Sequence, residues 1–220
     1  MLFKMGMPIS IANMLTPISA AILTAMVARH GEHAVAGFGA GSRIEALFLV
    51  VSFALTAALS PYMAQNLGAR KFDRARQALS LAIRFSFIFQ LCIYPVIFLL
   101  APSLAKVFSK DPAVIEVTIL FLRIMPLGIC FTGALIVFNT GFNAAHQTHK
   151  TLIVSLVRVF LCYAPLAWVG GLLFDLPGLF AGAVAGNAIA AGIAWYVVKQ
   201  TYSNIEELDT FKVDEKAFAS

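Results

Sequence analysis

Six long apolar stretches take up most of this 220-residue chain. A helix needs about 20 apolar residues to cross a membrane, and each stretch has that length. Only short polar connections separate them, which favours antiparallel neighbours in a bundle. The predicted spans are residues 7–27, 35–64, 78–107, 113–142, 151–174 and 177–199. We therefore predict an all-α fold class: a polytopic membrane protein with a six-transmembrane-helix bundle, followed by an acidic cytoplasmic tail at 203–220.

The composition excludes an ordinary soluble domain. Hydrophobic residues make up 60% of the chain and charged residues 12%, whereas about 25% of a soluble domain is charged. The net charge of +5 does not indicate a nucleic-acid partner, because the basic residues lie mainly at helix ends on one side and the tail is acidic. The sequence therefore predicts membrane lipid, and no nucleic acid, as a partner.

The distribution of Lys and Arg predicts the orientation. If the N-terminus is cytoplasmic, nine basic residues lie on the cytoplasmic side and three on the other side. Short cytoplasmic loops of membrane proteins carry such an excess. Four of the nine lie in the connection between the second and third spans: Arg70, Lys71, Arg74 and Arg76. We therefore expect both termini in the cytoplasm.

The stretch from Ser60 to Arg76, SPYMAQNLGARKFDRAR, is the most informative part of the sequence. Gln65 and Asn66 end the second apolar helix with side chains that can bond its free carbonyl groups. Gly68 follows, and we expect it to supply the positive φ that a helix end commonly requires. The stretch thus predicts a turn that leads into a basic helix start.

The same stretch resembles a loop of the MATE multidrug exporters. The pattern Q-N-x-G-A, a basic residue and D-R-A is similar to the loop between the second and third helices of each lobe, in its C-terminal-lobe form. The matching residues are Gln65, Asn66, Gly68, Arg70, Asp73 and Arg74. Further similar segments are GMPIS at 6–10, AVAGFGAGSRIE at 34–45 and NTGFNAAHQT at 139–148.

This resemblance implies a fold and a function. MATE exporters have two six-helix lobes that rock to open on alternate sides of the membrane, and they expel small organic cations in exchange for protons or sodium ions. The chain is therefore expected to be the C-terminal lobe of a multidrug antiporter in the bacterial inner membrane. Its partner would be an N-terminal MATE lobe or a second copy of itself.

The coupling carboxylates of the family do not carry over to this chain. In the NorM-type branch, this lobe has a Glu on its first helix and an Asp on its fourth, whereas the matching segments here read ANMLTP and FTGALI. In the DinF-type branch, which the chain resembles more closely, the coupling acid belongs to the N-terminal lobe. Glu45 is the acid of this chain that could substitute.

Charged residues inside apolar helices are candidates for a polar cavity. Arg43 and Glu45 stand at i and i+2 in the second helix, where they do not face each other, so each is expected to need a partner on another helix. Arg123 lies well inside the fourth helix. These three residues either tie helices together or line a cavity. Arg84 and Arg158 lie near enough to the cytoplasmic helix ends to reach the interface, and they are left out.

Uncharged polar side chains and one aromatic side chain complete the cavity candidates. A single Asn in a membrane helix more often bonds to a neighbouring helix than to a ligand, and both interpretations stay open. Asn139 and Asn143 share one face of the fourth helix because they are four residues apart. The complete set is Asn13, Thr16, Phe138, Asn139, Asn143 and Asn187.

Prolines and glycines predict the local shape of the helices. Four internal prolines are expected to bend their helices around a cavity: Pro17, Pro95, Pro126 and Pro165. Small residues every four positions in the sixth helix predict the close approach of another helix, at Gly178, Gly182 and Gly186. A less regular set is expected to loosen the start of the second helix: Gly37, Gly39 and Gly41.

No feature of the sequence predicts an enzyme. No nucleophile with a neighbouring base can be assembled, and no glycine-rich phosphate loop is present. The three cysteines lie in separate helices, and His146 and His149 alone do not make a metal site. We therefore expect no catalytic residue, metal or cofactor, and transport coupled to an ion gradient. Two alternatives stay open: a lipid-linked-sugar flippase of the same superfamily, and a membrane subunit or exporter remnant that does not transport.

The flippase alternative leads to a test. A flippase needs basic residues for a pyrophosphate group, and Arg43 and Arg123 are the candidates inside the helices. We expect Arg123→Ala to leave dye export intact without a selective loss of lipid-linked-sugar movement, measured side by side in the same vesicles. Loss of lipid-linked-sugar movement alone would favour the flippase.

Overall fold

The computed structural model describes the backbone of residues 2–218 and the side chains of residues 6–202. Its helices confirm the predicted all-α fold class. In chain order they are α1 Leu2–Val27, a 3-10 turn Ala28–His30, α2 Glu32–Gly68, α3 Phe72–Phe108, α4 Pro112–Ala144, α5 Thr148–Leu156, a π-helical segment Val157–Tyr163 and α6 Ala164–Phe218. The side chains of the predicted acidic tail at 203–220 lie outside the described residues.

Five continuous helical segments are long and apolar enough to cross a membrane. The last, Thr148–Tyr202, has 55 residues. A straight helix of that length would measure about 80 Å, far more than the roughly 30 Å hydrocarbon core. Non-helical backbone at Phe174 and Asp175 divides α6 into two parts, which we call α6a (164–173) and α6b (176–218). The described chain therefore crosses the bundle six times, and it forms an integral membrane protein.

Helix α6a and the end of the π-helical segment pack tightly against α6b and form a hairpin with it, as the glycine spacing predicts. A Cβ atom placed on Gly178 would lie 2.1 Å from the carbonyl oxygen of Gly170, and one on Gly182 would lie 2.1 Å from that of Leu166. One on Gly186 would lie 2.7 Å from the Cα atom of Tyr163. Glycine is required at these positions because backbone, which cannot move aside, lies where a side chain would be.

Helix α4 lies at the centre of the bundle and packs against α2, α3 and α6. Its large side chains are buried along most of its length, including Phe121, Leu122, Ile129, Leu135, Val137 and Phe142. All of them except Ile129 belong to two apolar clusters, one in each half of the bundle. Because α4 is apolar around most of its surface, it is suited to a position enclosed by other helices.

The expectation that glycines loosen the start of α2 is wrong. Gly37 and Gly41 instead form a close contact with α4, where an added Cβ atom would lie 2.6 Å from Val117 and 2.3 Å from Phe121 respectively. Thr118 Oγ1 also donates a hydrogen bond to the carbonyl oxygen of Gly37. Small residues four apart allow this approach because they share one helix face.

The turn after α2 differs from the prediction at one residue. Gly68 is the last helical residue, and the positive φ, 58°, belongs to Arg70. The amides of Arg70 and Lys71 donate to the carbonyl groups of Leu67 and Asn66, which is the hydrogen-bond pattern of a Schellman motif. The position two residues after Gly68 therefore adopts the left-handed conformation.

The same turn recurs after α4. His146 has φ 57°, and the amides of His146 and Gln147 donate to Asn143 and Phe142. Both turns lie at one end of the bundle, which we call the basic end. The connections at 28–31 and 109–111 lie at the opposite end.

A departure from regular α-helical hydrogen bonding occurs near one of the four prolines. Helices α1, α3 and α4 stay continuous through Pro17, Pro95 and Pro126. Near Pro165 the helix widens into the π-helical segment Val157–Tyr163. Pro165 has no amide hydrogen for the carbonyl group of Leu161, so a departure from regular α-helical bonding is favoured just before it.

The hairpin packing predicts a contrast between two glycines of α6b. Gly182→Ala should lower the free energy of unfolding by about 1–3 kcal/mol, because its methyl group meets the backbone of Leu166. Gly192→Ala is the matched control, because a Cβ atom there has no neighbour within 4 Å. Thermal unfolding of the detergent-solubilised variants measures both. Equal stability of the two variants would contradict the proposed packing.

Candidate functional site

Four polar side chains meet in the interior of the bundle, and we call them the interior polar cluster: Glu45, Arg158, Tyr163 and Asn187. Arg158 Nε donates a hydrogen bond of 3.0 Å to Asn187 Oδ1. Glu45 lies near enough to Arg158 for an electrostatic interaction, and Tyr163 lies close to both residues. Asn187 and Tyr163 are buried, at 3% and 7% exposed, whereas Glu45 and Arg158 are partly exposed.

Three separate chain segments bring this cluster to one depth. Glu45 lies 13 residues after the start of α2, Arg158 lies 10 residues after the start of α5, and Asn187 lies 11 residues after the start of α6b. At about 1.5 Å per residue, these positions are about 15–20 Å from the helix ends. Because α2 and α6b begin at the opposite end and α5 begins at the basic end, the three side chains meet near the middle of the bundle.

The π-helical segment positions two members of the cluster. Arg158 is its second residue and Tyr163 is its last. A π-helical turn is wider than an α-helical turn and commonly occurs at functional sites. Gly186 packs against the backbone of Cys162 and Tyr163, so the next residue, Asn187, comes close enough to bond to Arg158.

The exclusion of Arg158 from the candidates is wrong. We expected its side chain to reach the basic interface, whereas it bonds inside the bundle to Asn187. Its position, ten residues into a helix, is comparable to that of Arg123, which was kept as a candidate. Depth within the helix was therefore a usable signal for Arg158. Tyr163 had no comparable signal, because an aromatic residue in a membrane helix is commonplace.

The other two charged candidates lie away from the cluster. Arg43 is exposed on the surface of α2, two residues from Glu45. Arg123 is also exposed, and its guanidinium group lies 5.2 Å from the ring centre of Phe98 on α3. Its carbonyl oxygen accepts a hydrogen bond from the hydroxyl group of Tyr94. The structure therefore places Arg123 at the contact between α3 and α4, as a tie between helices.

The uncharged candidates divide into three places. Asn13 and Thr16 are exposed on α1. Asn143 Oδ1 accepts a hydrogen bond from Thr151 Oγ1, which ties α4 to α5 near the basic end. Asn139 has a buried Oδ1 atom without a hydrogen-bond partner among the described residues. Phe138, one residue before it, is 2% exposed and belongs to the core.

The loop-motif residues lie on the surface of the basic end. Asn66 Nδ2 donates to the carbonyl oxygen of Tyr62, as predicted for a residue that ends the helix. Four further members are exposed: Gln65, Arg70, Asp73 and Arg74. The motif therefore shapes the turn and does not contribute to the interior polar cluster.

A second buried polar group was not predicted. Ser52 on α2 and Ser86 on α3 lie 3.0 Å apart through their hydroxyl oxygens, and Gln90 donates to Ser52. All three side chains pack onto Gly133 of α4. Single Ser residues in an apolar helix gave no signal of this contact, because it depends on three helices meeting at a glycine.

Comparison with known proteins identifies the family. The MatE family profile matches residues 8–169, and the chain belongs to this family. A Shewanella oneidensis relative named "FAD transporter" is 36% identical over 90% of this chain and 44% of its own length. The multidrug export protein MepA of Staphylococcus haemolyticus is 20% identical over 90% of this chain and 43% of its own length.

Solved structures agree with this assignment. The Vibrio cholerae MATE transporter VcmN in its bent form has a TM-score of 0.86 and 32% identity, over 90% of this chain and 45% of that protein. The chain thus spans about half the length of the relatives that it matches, which agrees with one six-helix lobe. Members of this family are transporters rather than enzymes.

The interior polar cluster predicts an energetic coupling between two helices. Arg158→Met removes both the donor to Asn187 and the positive charge near Glu45, so Glu45→Gln should be less harmful in its presence. We expect the double variant to differ from the sum of the single variants by about 0.5–3 kcal/mol in unfolding free energy. Arg123→Met with Glu45→Gln is the matched control, and its effects should add. Additive effects for both pairs would contradict the coupling.

Proposed function

We propose that this chain is the C-terminal lobe of a secondary active exporter. The complete transporter would expel small organic cations in exchange for protons or sodium ions. The observation that carries the proposal is the interior polar cluster. Charged residues at mid-depth in a membrane bundle are costly, and they commonly mark a path for ions or substrates. Membership of the MatE family and the names of the multidrug export relatives support the same function.

Glu45 is assigned the coupling role. Among the described acids it lies furthest from a helix end, and it interacts with Arg158 on another helix. Gain or loss of a proton or sodium ion at Glu45 would change this interaction. Such a change alters the relative stability of two arrangements of α2 and the hairpin, which is what coupling to a gradient requires.

The proposed orientation places the basic end in the cytoplasm of the bacterial inner membrane. Three exposed basic residues in the turn after α2 and at the start of α3 support this orientation: Arg70, Lys71 and Arg74. Lys150 and Lys199 lie at the same end, and Lys150 donates to Thr201 Oγ1. An excess of basic residues at one end is typical of a cytoplasmic surface.

A second lobe completes the proposed transporter, either an N-terminal MATE lobe or a second copy of this chain. The exposed face of α1 supports this arrangement. Asn13 and Thr16 are polar and exposed there, although α1 is a membrane helix. Polar side chains on such a face are better accommodated in a water-filled cleft between lobes than in lipid.

A nucleotide-type anion is a second candidate substrate. The 36% identity to the relative named "FAD transporter" favours it, since the relative named MepA is 20% identical. Arg158 is a cationic group that could balance a diphosphate. The two candidates are separable by measuring export of a dye cation and of FAD from the same cells.

We expect cells that contain this chain, alone or joined in place of the C-terminal half of the Shewanella relative, to accumulate less ethidium than control cells. An uncoupler should remove the difference, because the proposed export depends on a gradient. Glu45→Gln should remove it as well, whereas Glu116→Gln, a change of an exposed acid on α4, should not.

The outcomes separate the proposals. FAD in the medium without any change in ethidium would favour the second candidate. If ethidium accumulation is equal in every strain, no FAD is exported and the protein is inserted in the membrane, both proposed transport functions of this lobe are contradicted.

A further inference from the structure

A groove runs along the outside of the bundle between α3 and α6b, with α4 at its base. Two adjoining cavities form it, and three residues line both: Ile83, Phe138 and Trp195. The cavity further from the basic end has a volume of about 380 Å³. Small-molecule sites commonly measure roughly 300–1,000 Å³, so the groove has room for a ligand.

The end of the groove near the basic turns is cationic and polar. Arg76 and Lys199 line it from opposite sides, Arg76 on α3 and Lys199 on α6b, and Ser80 lies one turn further along α3. Arg76 lies four residues after the start of α3, at about 6 Å from the helix end. The two basic groups therefore lie where the headgroups of the membrane begin.

The deeper part of the groove is mainly apolar and aromatic, and the exposed Arg84 is the one charged residue among the described residues of its lining. Phe87 and Phe131 line it, together with Gly192, which leaves it open because no atom lies within 4 Å of a Cβ position there. Phe87 lies 11 residues beyond Arg76, which corresponds to about 16 Å along α3. The groove thus changes from cationic to apolar along a path directed into the hydrocarbon core.

The surface around the groove carries large exposed apolar side chains. Leu81 and Ile88 on α3 are 69% and 58% exposed, and Trp195 and Tyr196 on α6b are 54% and 62% exposed. Such large exposed apolar side chains are accommodated by hydrocarbon in a membrane bundle. A ligand of this groove therefore comes from the bilayer and needs an anionic head and an apolar chain.

We propose that this groove is a binding site for one anionic phospholipid. The phosphate group lies between Arg76 and Lys199, and one acyl chain follows α4 past Phe138 towards Phe131. Basic pockets between membrane helices bind anionic headgroups in this way. The proposal does not depend on the transport function, because its lipid site and the interior polar cluster share no residue.

Native mass spectrometry of the purified chain with equal amounts of phosphatidylglycerol and phosphatidylcholine tests the site. We expect several-fold more bound phosphatidylglycerol than phosphatidylcholine. The double variant Arg76→Gln with Lys199→Gln should lose most of this preference, although Arg84 still lines the deeper cavity. The matched control, Lys71→Gln with Arg74→Gln, removes two exposed basic residues of the same end outside the groove, and it should keep the preference.

A second variant tests the apolar part of the groove. Gly192→Leu places a side chain into open space, so it should fold normally and retain less of both lipids. Ala185→Leu, on an exposed position of the same helix, should leave lipid retention unchanged. Three results would overturn the proposal: no preference in the original chain, equal loss of preference in both double variants, or full lipid retention by Gly192→Leu.

Discussion

Hydrocarbon offers no hydrogen-bond partner, so a polar group inside this bundle is costly unless another part of the chain bonds to it. The hydrogen bond between Arg158 and Asn187 is the main example, because it joins a charged side chain on one arm of the hairpin to an amide on the other. Glu45 adds a charge of opposite sign from α2. The interior polar cluster thus connects three spans at the depth where an isolated charge would be most costly.

Close helix packing makes this connection possible. Gly186 brings the backbone of α6b against Cys162 and Tyr163, and Asn187 is the next residue. The π-helical segment then directs Arg158 towards Asn187 while the hairpin stays closed. Packing and chemistry are therefore coupled, since a change that separates the hairpin also separates the two side chains. Alternating access in a transporter requires a link of this kind between helix position and charge.

Much of the fold could be predicted from the sequence, because a membrane span depends mainly on apolar length. The site was harder to predict. Arg158 and Arg123 lie at comparable depths in their helices, but the sequence does not tell which face of a helix each side chain occupies. Arg158 therefore bonds inside the bundle, although the sequence predicts that it reaches the interface, and Arg123 lies at an exposed contact between helices. The turn after α2 shows the same limit at a smaller scale. Gly68 favoured a left-handed turn, but the hydrogen bonds of the helix end fix that conformation at Arg70. The sequence predicts Asn187 as a polar candidate, but it does not predict that Arg158 is its hydrogen-bond partner.

Infrared difference spectroscopy of the reconstituted chain, between acid and alkaline pH, tests most directly whether Glu45 and Arg158 act as one unit. The account predicts a carboxyl band that titrates, is absent from Glu45→Gln, changes in Arg158→Met and stays unchanged in Arg123→Met. A spectrum that is the same with and without Glu45, or a Glu45 band that does not respond to Arg158→Met, would contradict a coupled acid and base in the interior of this lobe.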